Sequence, residues 1–180
     1  MVDELKIENV VASATLSAKI PLNQVVAHLP GTEYEPEQFP GLVYRMNDPN
    51  AAALIFNSGK IVCTGANSPE GAKEAINKVL EGVREAGVDV DEVTDIKIQN
   101  IVASAQLDGK LRLNEIAFTL RNAEYEPEQF PGLVYRIEEP EAAFLLFGSG
   151  KIVCTGGRSI DDVKEAVKRV EEDLEEIDAL

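Results

Sequence analysis

The chain has 180 residues, with 17 Lys and Arg against 32 Asp and Glu, a formal charge of −15 and a pI near 4.4. At 44% hydrophobic and 27% charged residues it reads as a folded chain of one or two small domains, not a disordered one. No run approaches the ~18 apolar residues of a membrane-spanning helix. The start, Met1-Val2-Asp3-Glu4, lacks a signal-peptide core, so secretion is not expected. The acid excess argues, on net charge alone, against a nucleic-acid partner.

Lys6 to Leu16 is strand-like, rich in Val, Ala and Thr. Leu22, Val25, Val26 and Leu29 have helical spacing. Phe39 to Met46 and Ala51 to Phe56 read as strands. Asn57-Ser58-Gly59 supplies a turn, and Lys60 to Gly65 completes a hairpin. Ser68-Pro69-Glu70 is a helix start, with Ser as N-cap and Pro in the first turn. That helix carries Ala72, Ala75, Ile76, Val79, Leu80 and Val83 on one face, and Gly87 is its stop.

The order then begins again. Tyr34 to Arg45, YEPEQFPGLVYR, recurs letter for letter at Tyr125 to Arg136. SGKIVCTG recurs at Ser58 and Ser149, and Asn9-Val10-Val11-Ala12-Ser13 returns as Asn100-Ile101-Val102-Ala103-Ser104. Every pair is offset by 91 positions. Ser159 caps the last helix, with Asp162 as a capping-box variant. Acids are concentrated on the long helices, on Glu35 and Glu37, and in an acidic tail from Glu171 to Asp178. Two repeats are expected, 1–91 and 92–180, joined tightly through 87–94 as one body with pseudo-two-fold symmetry. The class is α+β: an antiparallel sheet with helices on one side.

Side chains alternate across a strand, so each strand divides into two faces. One face holds Asn9, Val11, Ser13, Phe39, Gly41, Val43, Arg45, Ala52, Leu54, Phe56, Lys60, Val62 and Thr64. The other holds Val10, Ala12, Leu42, Tyr44, Ala53, Ile55, Ile61 and Cys63. Both are largely apolar, and helices from one side can cover only one. The Asn/Phe/Thr face has basic ends and no acid, and its copy, Asn100, Val102, Phe130, Val134, Arg136, Leu145, Phe147, Lys151, Val153 and Thr155, has the same character. Such a face suits the DNA minor groove, where A·T pairs present only acceptors, which Asn amides and Thr hydroxyls can meet. It equally suits packing on a second sheet or a dimer mate.

The duplicated IxNxVAS strand, EYEPEQFPGLVYR segment and LxFxSGKIVCTG hairpin resemble the TATA-box-binding protein core over nearly the whole chain. With no long N-terminal extension, they resemble the archaeal form, which would work in the cytoplasm on the nucleoid. The resemblance implies a saddle of ten antiparallel strands with helices on its convex face. It implies a general transcription initiation factor that binds double-stranded TATA promoter DNA, kinks it, and recruits transcription factor B and, indirectly, RNA polymerase.

By the same resemblance, Phe39 with Phe56 and Phe130 with Phe147 are intercalating pairs. Asn9 and Asn100 donate at the centre of the site, flanked by Thr64 and Thr155. Val11, Leu54, Val62, Val102, Leu145 and Val153 line the apolar contact. Arg45, Lys60, Arg136 and Lys151 meet phosphates, with Ser58 and Ser149 nearby. Glu126, Glu128 and Gln129 contact transcription factor B. Pro40 and Pro131 both follow the Phe and the two stirrup sequences are identical, so the DNA face offers almost no basis for choosing a direction. Orientation is then expected from transcription factor B and its flanking element.

A second reading is a protein-interaction scaffold, with the apolar face hidden in a self-dimer off DNA. An enzyme has nothing to rest on here: no nucleophile, base or metal constellation stands out, and no cofactor is implied. Cys63 and Cys154 are expected as buried thiols, and His28 as a helix-surface residue whose copy is Thr119.

Overall fold

The computed structural model describes residues 2–91 and 95–180, with side chains from Leu5 onward. Part of the connection at 87–94 therefore lies outside the described residues. The elements are β1 (Val2–Thr15), α1 (Leu22–His28), β2 (Thr32–Glu33), β3 (Leu42–Asn47), β4 (Asn50–Ile55), β5 (Lys60–Ala66) and α2 (Pro69–Glu85), then β6 (Lys97–Leu107), α3 (Leu113–Thr119), β7 (Ala123–Glu124), β8 (Leu133–Glu138), β9 (Glu141–Leu146), β10 (Lys151–Gly157) and α4 (Ile160–Glu176). The sheet has ten strands in the order β2-β3-β4-β5-β1-β6-β10-β9-β8-β7. The class is α+β, as expected.

The compact units do not divide between the repeats. One unit is Asn9–Gln99; the other is Met1–Glu8 with Asn100–Leu180. In the Asn9–Gln99 unit, β2 pairs with β3, β3 with β4, β4 with β5 and β5 with β1, all antiparallel. Its core is the strand face of Val10, Ala12, Leu42, Ala53, Ile55, Ile61 and Cys63, each fully buried. α2 packs across β4 and β5 with the apolar face that its periodicity predicts. Ser68 Oγ accepts from Gly71 N at 2.9 Å, which caps α2. Gly87 ends it at φ +92, the left-handed region that glycine enters without strain. Each fully buried Ile, Leu or Val contributes about 1.5–3 kcal/mol, so the two-layer packing fixes which sheet face is closed.

The second unit repeats this plan with β10 against β6 and β9, β8 against β9, and β7 against β8. α4 lies on β10 through Val163, Ala166, Val167 and Val170. The repeats have diverged in how they lock their helices. A Cβ on Gly82 would meet Leu29 Cδ2 at 2.9 Å, so the bare backbone there admits the leucine. The copy of Gly82 is Asp173, whose Oδ2 accepts from the Tyr135 hydroxyl at 2.7 Å.

Three expectations need correction. Phe39 is not in a strand: β3 begins at Leu42, because Pro40 has no N–H for the ladder and Phe39 N instead donates to Glu35 O at 3.0 Å. The same holds for Phe130, whose N donates to Glu126 O at 3.0 Å. The acidic segment from Glu171 is no tail either. It continues α4 to Glu176, anchored by the fully buried Leu174.

Candidate nucleic-acid interface

The face that the helices leave uncovered can be read from burial. Along β3, β4 and β5, buried residues alternate with Val43, Ala52, Leu54, Val62 and Thr64, which are only partly covered. β8, β9 and β10 repeat the pattern with Val134, Ala143, Leu145, Val153 and Thr155. Val11 and Val102 are likewise half-buried. In each unit, the expected apolar contact residues therefore share one open sheet face.

A bulge shapes the polar part of this face. Val10 pairs with Ala66 while Ala12 pairs with Cys63, two steps on β1 against three on β5. The extra residue falls at Gly65, with φ +99. Its freed N–H donates to Asn9 Oδ1 at 2.7 Å, and Asn9 Nδ2 donates to Thr64 Oγ1 at 3.0 Å. In the other unit, Gly156 N donates to Asn100 Oδ1 at 2.6 Å, and Asn100 Nδ2 to Thr155 Oγ1 at 3.0 Å. The amide oxygen is thus spent on the backbone. One N–H remains on each Asn amide beyond its bond to the threonine.

The four Phe form two edge-to-face pairs. Phe39 and Phe56 have ring centroids 5.9 Å apart at 63°, and Phe130 and Phe147 are 6.0 Å apart at 66°. Phe39 is 40% exposed and Phe130 41%, while Phe56 and Phe147 are half-buried beneath them. Each pair stands over a glycine. A Cβ on Gly41 would lie 2.7 Å from Phe39 Cε2 and 3.0 Å from Phe56 Cε1, and Gly132 repeats both distances against Phe130 and Phe147. This supporting role was not recognised in the sequence. The signal available was the duplicated FPG triplet.

Arg45, Lys60, Arg136 and Lys151 are exposed, and among the described residues none of them is in an ion pair. Ser58 Oγ accepts from Lys60 N at 3.4 Å, and Ser149 Oγ from Lys151 N at 3.3 Å, so these serines shape the hairpin turns that carry the lysines. Glu126, Glu128 and Gln129 lie exposed in the turn before Phe130. Cys63 and Cys154 are buried on the helix side, and desolvation pushes their thiols up to about 11 and about 12. His28 is exposed, its Nδ1 2.9 Å from Gln24 O.

Sequence reasoning also missed two serine contacts. Ser13 and Ser104 lie opposite Val62 and Val153, in the row of the open face, yet each is nearly buried. Gln99 Nε2 donates to Ser13 Oγ at 2.7 Å, whereas Ser104 Oγ donates to Glu8 Oε1 at 2.7 Å.

Fold and site together define a duplicated α+β protein that offers an apolar, hydroxyl- and amide-bearing sheet face with basic edges, twice over. The family model described as transcription factor TFIID (or TATA-binding protein, TBP) matches residues 4–86 and again 95–177, and the chain belongs to this TATA-binding protein family. It is 52% identical to the TATA-box-binding protein of Methanothermobacter thermautotrophicus, over 98% of each chain. It is 51% identical to that of Archaeoglobus fulgidus, over 95% of this chain and 94% of the relative. The solved structure of Methanococcus jannaschii TBP superposes with a TM-score of 0.90 at 50% identity, covering 97% of this chain and 99% of the other.

Proposed function

We propose that this chain is a general transcription initiation factor that binds A·T-rich TATA promoter DNA in the minor groove, with each unit's open face docked on the duplex. The observation that carries the reading is the pinned amide. Asn9 and Asn100 have their acceptor ends held by Gly65 and Gly156, and each amide nitrogen, bonded once to Thr64 or Thr155, keeps a second N–H to donate. An A·T minor groove offers acceptors alone, and a G·C pair would add a clashing N2 donor.

The half-exposed Phe pairs act as wedges that unstack base steps and kink the duplex. Burying what is still exposed of the four Phe contributes part of the roughly 1.5–3 kcal/mol that full burial gives each, which offsets some of the cost of unstacking two steps at ~a few kcal/mol each. The valine and leucine rows pack on the sugars, and the four free cations meet phosphates. Glu126, Glu128 and Gln129 form the contact for transcription factor B, which brings RNA polymerase. Because the two faces share the same Asn, Phe, Val, Leu and Thr set, transcription factor B and its flanking element set the direction on a uniformly A·T site. The reading is tested by gel shift of a TATA duplex against a G·C-rich control: selective retardation of the TATA duplex is expected, and equal retardation of both refutes it.

A further inference from the structure

Most open-face positions carry the same residue in both repeats, but the side chains that meet Ser13 and Ser104, Gln99 and its copy Glu8, do not match. The difference is Glu for Gln, and it reverses a hydrogen bond. A carboxylate can only accept, so Ser104 must spend its single proton on Glu8 Oε1 at 2.7 Å. The Gln99 amide donates to Ser13 Oγ at 2.7 Å, which leaves the Ser13 proton free. One unit therefore holds a hydroxyl and amide able to donate. The other holds a hydroxyl with only lone pairs left, beside a carboxylate side chain that is 40% exposed and has the Lys6 ammonium 3.9 Å from its Oε1.

These two polarities match different base pairs. In the minor groove, A·T presents acceptors only, and guanine alone supplies a donor, its N2 amino group. We propose that Glu8 is a specificity-determining residue: the base pair docked over Glu8 and Ser104 is one where a G·C pair is accepted, while the pair docked over Gln99 and Ser13 must be A·T. This rests on the minor-groove reading above. On a uniformly A·T site, Glu8 gives no directional signal beyond a general cost. A single G·C pair in one half of the site gives the protein alone a direction.

The test uses the full chain with an iron chelate attached at Glu74→Cys, an exposed position on α2, and a TATA duplex carrying one G·C pair in one half. The positions of DNA cleavage report the orientation of each bound complex. The expected result is an excess of about fivefold for the orientation that puts the G·C half on the Glu8 unit, the scale of one net hydrogen bond. E8Q, which makes both halves alike, should bring the ratio to about one. The double variant E138N/E141N removes two carboxylates at the β8–β9 turn without touching either serine, and should keep the excess. An even pattern in the parent protein overturns the proposal, as does an excess that survives E8Q or disappears in E138N/E141N. If the parent binds neither this duplex nor a uniform TATA duplex, the minor-groove reading itself has failed. Binding with even cleavage removes only the role of Glu8.

Discussion

The Gly65 N–H donates to Asn9 Oδ1 at 2.7 Å, so a backbone bulge decides which end of a side-chain amide is left to meet a ligand. An aspartate at position 9 could still accept from Gly65, but it would turn an acceptor toward the acceptors of an A·T pair. Asn9→Asp and Asn100→Asp should therefore fold normally, with an unchanged melting temperature. Each should weaken binding to a TATA duplex at least about tenfold, since one misplaced donor in a groove contact costs ~1–3 kcal/mol. Titration by fluorescence anisotropy checks this.

Much of this arrangement was legible in the sequence. The exact repeat at an offset of 91, the alternation along β3, β4 and β5, and the Ser68 and Ser159 caps defined the elements and the open face. The bulge at Gly65 was not legible, because a register slip depends on which strand lies beside β5 and not on β5 alone. Alternation along β3 does not extend back to Phe39, because the ladder cannot run through Pro40. The opposite polarity of Ser13 and Ser104 also escaped, since it arises from contacts between strands far apart in the chain.

Gly41 and Gly132 leave room for the Phe pairs, and a side chain there would displace the rings. Both glycines are buried but lie outside the helix-packed core, so Gly132→Val should cost little global stability beyond local repacking, on the order of 1 kcal/mol. It should nevertheless reduce DNA bending, read as a longer end-to-end distance by resonance energy transfer across a labelled TATA duplex.

Burial raises both thiols from the ordinary value of 9.0, to about 11 for Cys63 and about 12 for Cys154. A raised folded-state pKa means that the neutral thiol is favoured in the folded protein. The resulting stability is fully present below pH 9 and is lost as pH climbs through 9 toward 12. Melting temperature should therefore fall across that window. In the double variant C63A/C154A, the fall should be shallower, although the starting value is lower because two buried sulfurs are gone.

The charge of −15 does not determine DNA affinity, because the acids lie mainly on helices and turns while four cations edge the open face. With four phosphate contacts, log affinity against log salt should have a slope of about −3.6, four times the −0.9 per contact of duplex DNA. A slope near −10 would mean that the binding is dominated by phosphate contacts and not by apolar ones.

The central claim is that the two Phe pairs wedge open an A·T minor groove. Its most direct test is the bend angle of a TATA duplex with the parent protein, with F39A/F56A and with F130A/F147A, measured by resonance energy transfer between the duplex ends. A sharply bent duplex is expected with the parent, and a clear loss of bend and affinity with each double variant. Undiminished bending and affinity in both variants would contradict it.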